Sequence, residues 1–233
     1  MSYSVPALAQ SELRQRTVLQ QVYAWMAGGL TVTGLVALWA YTSGFVASVL
    51  IRNQGLFIGL IIAELALVMA LSWGIGRMSA PVATGTFLLY SALNGLTMAV
   101  IFLLYTAASI GTTFLVTAGT FAAMSLYGYT TKRDLTSIGS FLVMGLIGFL
   151  LASVVNFFLK SEMLYWLLTY AGILIFIGLT AYDTQKIKKL SAVLDGNNDQ
   201  ALLRRVVLMG ALTLYLDFIN LFLLLLRVLG RRR

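Results

Sequence analysis

The chain has 233 residues, of which 60% are hydrophobic and only 10% charged, with a mean hydropathy of +0.90. A soluble domain carries roughly 25% charged residues to keep its surface wet, so a water-soluble globule of this length is excluded. The net charge of +8 does not mark a nucleic-acid binder, because the basic residues form short clusters beside apolar runs without base-stacking aromatics between them.

The N-terminal stretch 1–20 holds Glu12, Arg14 and Arg16 and reads as a cytoplasmic tail ahead of an uncleaved first helix. The first span is predicted from Val22 to Tyr41, with Trp25 near one end and Trp39 and Tyr41 at the other as interfacial aromatics. The second follows from Leu56 to Gly74, the third from Val82 to Leu104 and the fourth from Ile110 to Tyr129. The fifth covers Ile138 to Leu159, the sixth Met163 to Asp183 and the seventh Val206 to Leu226. Seven spans of about 20 residues use roughly 140 residues, which fits one all-α membrane domain over 21–230 and a basic tail at 231–233. The runs lack the alternation of a membrane barrel, and no internal repeat stands out.

Orientation follows from the Lys and Arg balance. With the N-terminus inside, the inner segments hold Arg14, Arg16, Arg77, Lys132, Arg133, Lys186, Lys188, Lys189, Arg204 and Arg205. The outer side holds Arg52, Lys160, Arg227 and Arg231 to Arg233, so ten of the 16 basic residues favour a cytoplasmic N-terminus. The terminal arginines fit this poorly, since seven full spans place them outside. A re-entrant last helix and a tolerated basic tail are both open readings.

The chain has no Cys and no His, so thiol chemistry and the usual neutral-pH switch are missing. Acid–base behaviour falls to carboxyl groups. A charge inside hydrocarbon costs about 2.5–3.5 kcal/mol at a helix centre on insertion scales, and three acids fall in predicted spans: Glu64, Asp183 and Asp217. Asp217 is the strongest signal. Thr213 four residues before it and Asn220 three after share its helical face. Such a stripe either fixes helix packing or forms a proton or ion site. The second is preferred, because Asn or Thr would make a packing bond without a charge.

Asp183 closes the sixth span, where solvation at the membrane edge is as good a reading as function. Asp217 lies some 15–18 Å along its helix from Val206, so spacing alone does not bring the two aspartates together. Glu64 in the second span reads as a functional acid or a neutral, hydrogen-bonded packing residue. Asn94 in the third span, with Ser91 and Thr97 on its face, reads first as packing and second as a lining of the same polar interior. Arg77 is by default a positive-inside loop charge, and by a second reading a partner for an acid.

Two segments carry a resemblance. Ala181-Tyr182-Asp183-Thr184-Gln185-Lys186-Ile187-Lys188 and Leu214-Tyr215-Leu216-Asp217-Phe218-Ile219-Asn220-Leu221-Phe222 resemble the Bax inhibitor-1 family, the transmembrane Bax inhibitor motif proteins. Tyr129-Thr130-Thr131-Lys132-Arg133-Asp134-Leu135 looks like the loop of its bacterial inner-membrane branch. The resemblance implies seven helices with the last one central and surrounded by the other six. It also implies that Asp183 and Asp217 form a carboxyl dyad that senses pH in a calcium-leak pathway, with Glu64 lining it. Asn94, Thr213 and Asn220, read from their helical faces, are the further candidates for that pathway. Some members latch the dyad with a second-span arginine. Alignment from Glu64 puts Ile75 there, and Arg77, two residues on, is the possible substitute.

Two carboxylates a few ångströms apart cannot both ionise cheaply and so titrate as a pair. Gain or loss of a shared proton can bias a closed-to-open equilibrium. The oxygen ligands suit transient Ca²⁺, although no resident metal or cofactor is assigned. The expected function is therefore a pH-sensitive calcium leak in a bacterial inner membrane, with the bilayer, calcium ions and protons as partners and no enzymatic activity. An intramembrane aspartyl protease is disfavoured because Asp217 follows Leu214-Tyr215-Leu216 rather than Gly-x-Gly. The two prolines, Pro6 and Pro81, leave no Pro-Ala-Leu element. A proton-coupled transporter lacks the expected inverted repeat. The remaining alternative is a non-conducting regulator that binds other membrane proteins in stress response or quality control.

Overall fold

A computed structural model describes residues 7–75, 78–193 and 200–233. Among the described residues the chain is helical: α1 (Ala7–Thr42), α2 (Gln54–Gly74), α3 (Ala80–Met98), the one-turn α4 (Ile101–Leu104), α5 (Ala107–Thr130), α6 (Thr136–Leu159), α7 (Glu162–Val193) and α8 (Gln200–Leu229). A short π-helical turn, Val46–Leu50, links α1 to α2. Seven of the described helical stretches are long and apolar enough to cross a membrane, making this an all-α integral membrane protein.

The span boundaries differ from expectation where tertiary packing extends a helix. α1 begins at Ala7, well ahead of Val22, because Val18, Leu19, Val22 and Met26 form one buried stripe that continues the helix beyond its hydrocarbon-length segment. α7 runs to Val193 instead of ending at Asp183. Ile187 and Ser191 are buried one and two turns beyond Asp183, so the lysines between them ride on the outer face of a continuing helix. The third span breaks after Met98 into the short α4, through tight turns from Phe102 N–H to Ala99 C=O and from Leu103 N–H to Val100 C=O.

Burial is concentrated in the last span. Leu202–Leu229 is 72% buried, against 6–33% for the other six. The helix that reads in sequence as another Leu-rich span is therefore the protein-facing one. Thirty residues at 1.5 Å each give about 45 Å, so α8 is one continuous helix long enough to cross the hydrocarbon.

The chain groups into two compact units. The first comprises Met1–Leu104, Ile187–Tyr215 and Arg233; the second comprises Tyr105–Lys186 and Leu216–Arg232. In the first, α1 and α3 meet closely at two glycines. A Cβ on Gly29 would lie 2.6 Å from the Phe87 ring, and one on Gly95 would lie 2.6 Å from the Thr33 carbonyl oxygen. Ala37, Ala40, Val46, Leu50 and Ala99 form an apolar cluster nearby. In the second unit, Phe176, Leu179, Leu221 and Leu224 pack α7 against α8.

The C-terminal arginines are held rather than trailing. In the second unit Arg232 forms an isolated antiparallel bridge with Tyr105, Thr106 N–H donates to the Arg231 carbonyl at 3.1 Å and Arg231 N–H donates to Ser109 Oγ at 2.9 Å. In the first, Arg233 N–H donates to the Leu104 carbonyl at 3.0 Å and its guanidinium to Tyr41 Oη at 2.9 Å. Backbone pairing of this kind satisfies groups that would otherwise meet a poorly hydrated interface.

Candidate functional site

Asp183 and Asp217 come together inside the second unit. Their carboxyl groups are close enough to interact directly, and they are only 8% and 4% exposed. The depth problem disappears because α7 continues past Asp183, which places it inside the bundle rather than at the edge. A carboxylate has only acceptors, so a hydrogen bond between them can form only when one of the two groups holds a proton. Asp217 Oδ2 is fully buried and takes no hydrogen bond, an exception among buried polar atoms that calls for explanation. Lys186, one turn from Asp183, is the cation that acts on it electrostatically. Its ammonium lies 5.8 Å from the Tyr182 ring centroid.

Three local features fix Asp183 in place, and sequence reading missed all of them. Gly128 of α5 lies against the α7 backbone, so that a Cβ there would sit 2.9 Å from the Ala181 carbonyl carbon and nearer still to its oxygen. Gly139 of α6 lies under the Tyr182 ring, whose Cγ would be 2.6 Å from an added Cβ. Small residues at helix crossings permit this approach in a membrane, where close packing replaces the hydrophobic effect. The Gln185 amide closes the arrangement. It donates from Nε2 to the Arg133 carbonyl at 2.8 Å and accepts at Oε1 from Leu135 N–H at 2.9 Å. The α5–α6 loop is thereby tied to the helix two residues from Asp183.

Asp217 is held through its neighbour. The Phe218 ring packs edge-on against Phe114 at 5.4 Å and Phe121 at 5.5 Å, a favoured aromatic geometry that sets the rotation of α8 within the second unit. The stripe expected around Asp217 is only partly engaged. Asn220 donates to the Leu216 carbonyl of its own helix at 2.9 Å, and Thr213 returns its hydroxyl to the Met209 carbonyl at 3.0 Å.

The first unit holds a separate polar cluster. Thr97 Oγ1 donates to Glu64 Oε1 at 2.8 Å, so Glu64 and the Asn94–Thr97 face of α3 do meet. Asn94 lies close to Tyr90, while its Oδ1 is buried without a partner. Tyr215, two residues before Asp217, is wedged edge-on between Phe87 and Tyr90, each at 5.8 Å. Thr33 Oγ1 lies within hydrogen-bonding distance of the Ser91 carbonyl at 2.8 Å, the Gly29 carbonyl at 3.0 Å and Tyr215 Oη at 2.7 Å. Thr33, Tyr90 and Tyr215 were not singled out from sequence. The Tyr at the centre of Leu214-Tyr215-Leu216-Asp217 was the available signal.

Ile75, where the resemblance expects a latch arginine, is buried in an apolar cluster with Ala83 and Leu208. Arg77 lies outside the described residues. Among the described residues no three His, Cys, Asp or Glu side chains converge as metal ligands.

The comparisons agree with the resemblance. Over residues 15–233 the sequence matches the family described as inhibitor of apoptosis-promoting Bax1. It is 56% identical to the inner membrane protein YbhL of Escherichia coli over 227 residues, 97% of each chain. It is 44% identical to an uncharacterized protein of Borreliella burgdorferi over 96% of each chain. With an uncharacterized protein of Rickettsia prowazekii it shares 42% identity over 94% of this chain and 91% of the other.

Proposed function

Since the chain belongs to the Bax inhibitor-1 family, we propose that it is a pH-sensitive cation leak channel, with calcium as the permeant ion, gated by the Asp183–Asp217 pair. One observation carries the reading: the two carboxyl groups are buried and close enough to interact directly across α7 and α8. With the proton shared, the pair ties the two helices together. Once it is lost, two carboxylates face each other in a low-dielectric site, where like charges repel far more strongly than in water. A change of one proton is thus converted into a mechanical bias between helices. The orphaned Oδ2 of Asp217 is the oxygen free to take water or a cation when the pair opens. The name of the Escherichia coli relative supports a bacterial inner-membrane location, and the Lys and Arg balance supports a cytoplasmic N-terminus.

The test is Ca²⁺ flux into proteoliposomes between about pH 6 and 8, the window in which paired carboxyls can titrate, for wild type and Asp217→Asn. A pH-dependent flux that the substitution alters supports the dyad-gated leak. The description attached to the family, an inhibitor of another protein, favours a second reading, a non-conducting regulator that binds membrane proteins. No flux above empty liposomes at any pH would leave that reading standing and remove the first.

A further inference from the structure

The second unit contains a cavity of about 710 Å³ between the C-terminal half of α6, the α6–α7 turn, the start of α7 and the last turns of α8. Its two halves differ in chemistry. Around one end lie Asn156, Lys160, Ser161, Glu162 and Arg227, while Phe149, Leu150, Phe176 and Leu224 line the other. From Lys160 to Phe149 along α6 is eleven residues, about 16 Å at 1.5 Å each. The cavity therefore runs from the membrane boundary well into the hydrocarbon depth. Phe157, Phe158, Leu159 and Met163 beside the turn are exposed from the protein, which places the turn where aromatic and apolar side chains meet lipid.

The polar end is constructed. Asn156 caps α6, its carbonyl accepting from Lys160 N–H at 2.8 Å and its Oδ1 from Ser161 N–H at 3.0 Å. The cap turns the chain through Lys160, which has φ +51°, a left-handed conformation that costs a non-glycine residue about 1–2 kcal/mol. The strained turn sets the lysine at the cavity mouth. Across from it the Arg227 guanidinium lies 5.2 Å from the Tyr165 ring centroid, a cation–π contact that steers the guanidinium. Two cations against the Glu162 carboxylate leave this end with one net positive charge.

We propose that this cavity binds one anionic glycerophospholipid, its phosphate between Lys160 and Arg227 and part of an acyl chain along Phe149, Leu150, Phe176 and Leu224. Free phosphate would gain nothing from the apolar half, and a zwitterionic lipid such as phosphatidylcholine brings a quaternary ammonium beside its phosphate that the two cations repel. A bilayer supplies the amphiphile at this depth. The site is independent of ion conduction and is read without reference to it.

The experiment is native mass spectrometry of the full chain titrated with phosphatidylglycerol, with phosphatidylcholine of the same chains, and with inorganic phosphate. One phosphatidylglycerol per chain is expected, bound more tightly than phosphatidylcholine and not displaced by phosphate. At about 1 kcal/mol for each basic residue near a charged surface, Arg227→Gln or Lys160→Gln should weaken it roughly fivefold and the double variant about thirtyfold. Leu150→Trp, which fills the apolar half and alters a lipid-exposed position, should weaken both lipids. Arg52→Gln, the same loss of charge on another loop, should change neither. Unaltered affinity in the double variant, equal binding of the two lipids, displacement by phosphate, or a lipid-free dimer mass would each overturn the assignment. A melting profile of each variant in detergent separates lost binding from lost folding.

Discussion

Gly128→Ala tests the idea that a close helix crossing positions Asp183. The added Cβ would lie 2.9 Å from the carbonyl carbon of Ala181 and 3.0 Å from its Cα, whereas carbon atoms rest about 3.5–4.0 Å apart. Relief requires α5 to withdraw by about 0.5–1 Å from a stretch of α7 backbone that cannot rotate aside. Overpacking of this size costs about 1–3 kcal/mol. With roughly 2–4 °C per kcal/mol for a chain of this length, the midpoint in detergent should fall by about 4–8 °C for a mid-range cost. Gly139→Ala provides the comparison. Its Cβ meets the Tyr182 ring, a partly exposed side chain that can swing away, so its loss should be smaller. The assay is thermal unfolding in detergent of both variants beside wild type. A Gly128→Ala midpoint within about 1 °C of wild type, or a larger loss for Gly139→Ala, would refute the backbone-contact reasoning.

Replacing both aspartates, Asp183→Asn with Asp217→Asn, keeps an amide hydrogen bond available while abolishing the titrating pair. The flux at pH 6 and at pH 8 should then become equal, and a persisting pH dependence would place the sensor elsewhere. Gln185→Ala strips both partners from the α5–α6 loop and should cost about 1–3 kcal/mol for buried groups left unpaired. Hydrogen exchange at the Leu135 amide reads it directly, and unchanged protection would show that the clamp is dispensable. Thr97→Val removes the hydroxyl that donates to Glu64. A double-mutant cycle with Glu64→Gln should give a coupling of about 0.5 kcal/mol or more for groups in contact, and additive effects would deny the contact. Tyr215→Phe keeps both edge-on ring contacts and loses only the bond to Thr33, so it should cost about 0.6 kcal/mol, the average for such bonds in a membrane protein. A loss several times larger would mean that the hydroxyl holds more than Thr33.

The spans were legible because hydrocarbon imposes a length and an apolar composition on each of them, and no packing detail can override that demand. Asp217 was legible for the same reason, as a lone charge inside a Leu-rich run. The boundaries of α1 and α7 were not, since hydropathy marks where hydrocarbon ends rather than where a helix ends. Val18 and Leu19 at one extension, and Ile187 and Ser191 at the other, are buried against protein, and nothing in a hydropathy window distinguishes protein from lipid. Hydropathy is equally blind to the special place of α8, because a helix buried in protein and one facing lipid are both apolar; only the family resemblance pointed to a central last helix.

The sequence by itself therefore determined the class, the number of spans and the cost of the acids, which follow from composition and local pattern, while the motifs around Asp183 and Asp217 carried the family resemblance. Only the tertiary structure decided that Asp183 is buried beside Asp217, that Glu64 takes its hydrogen bond from Thr97, and that Ile75 fills an apolar cluster. Asp183 and Asp217 are 34 residues apart in the chain, and the contact between them depends on where two helices are clamped. Gly128, Gly139 and Gln185 set that clamp through distances of closest approach, a quantity no single segment of sequence contains.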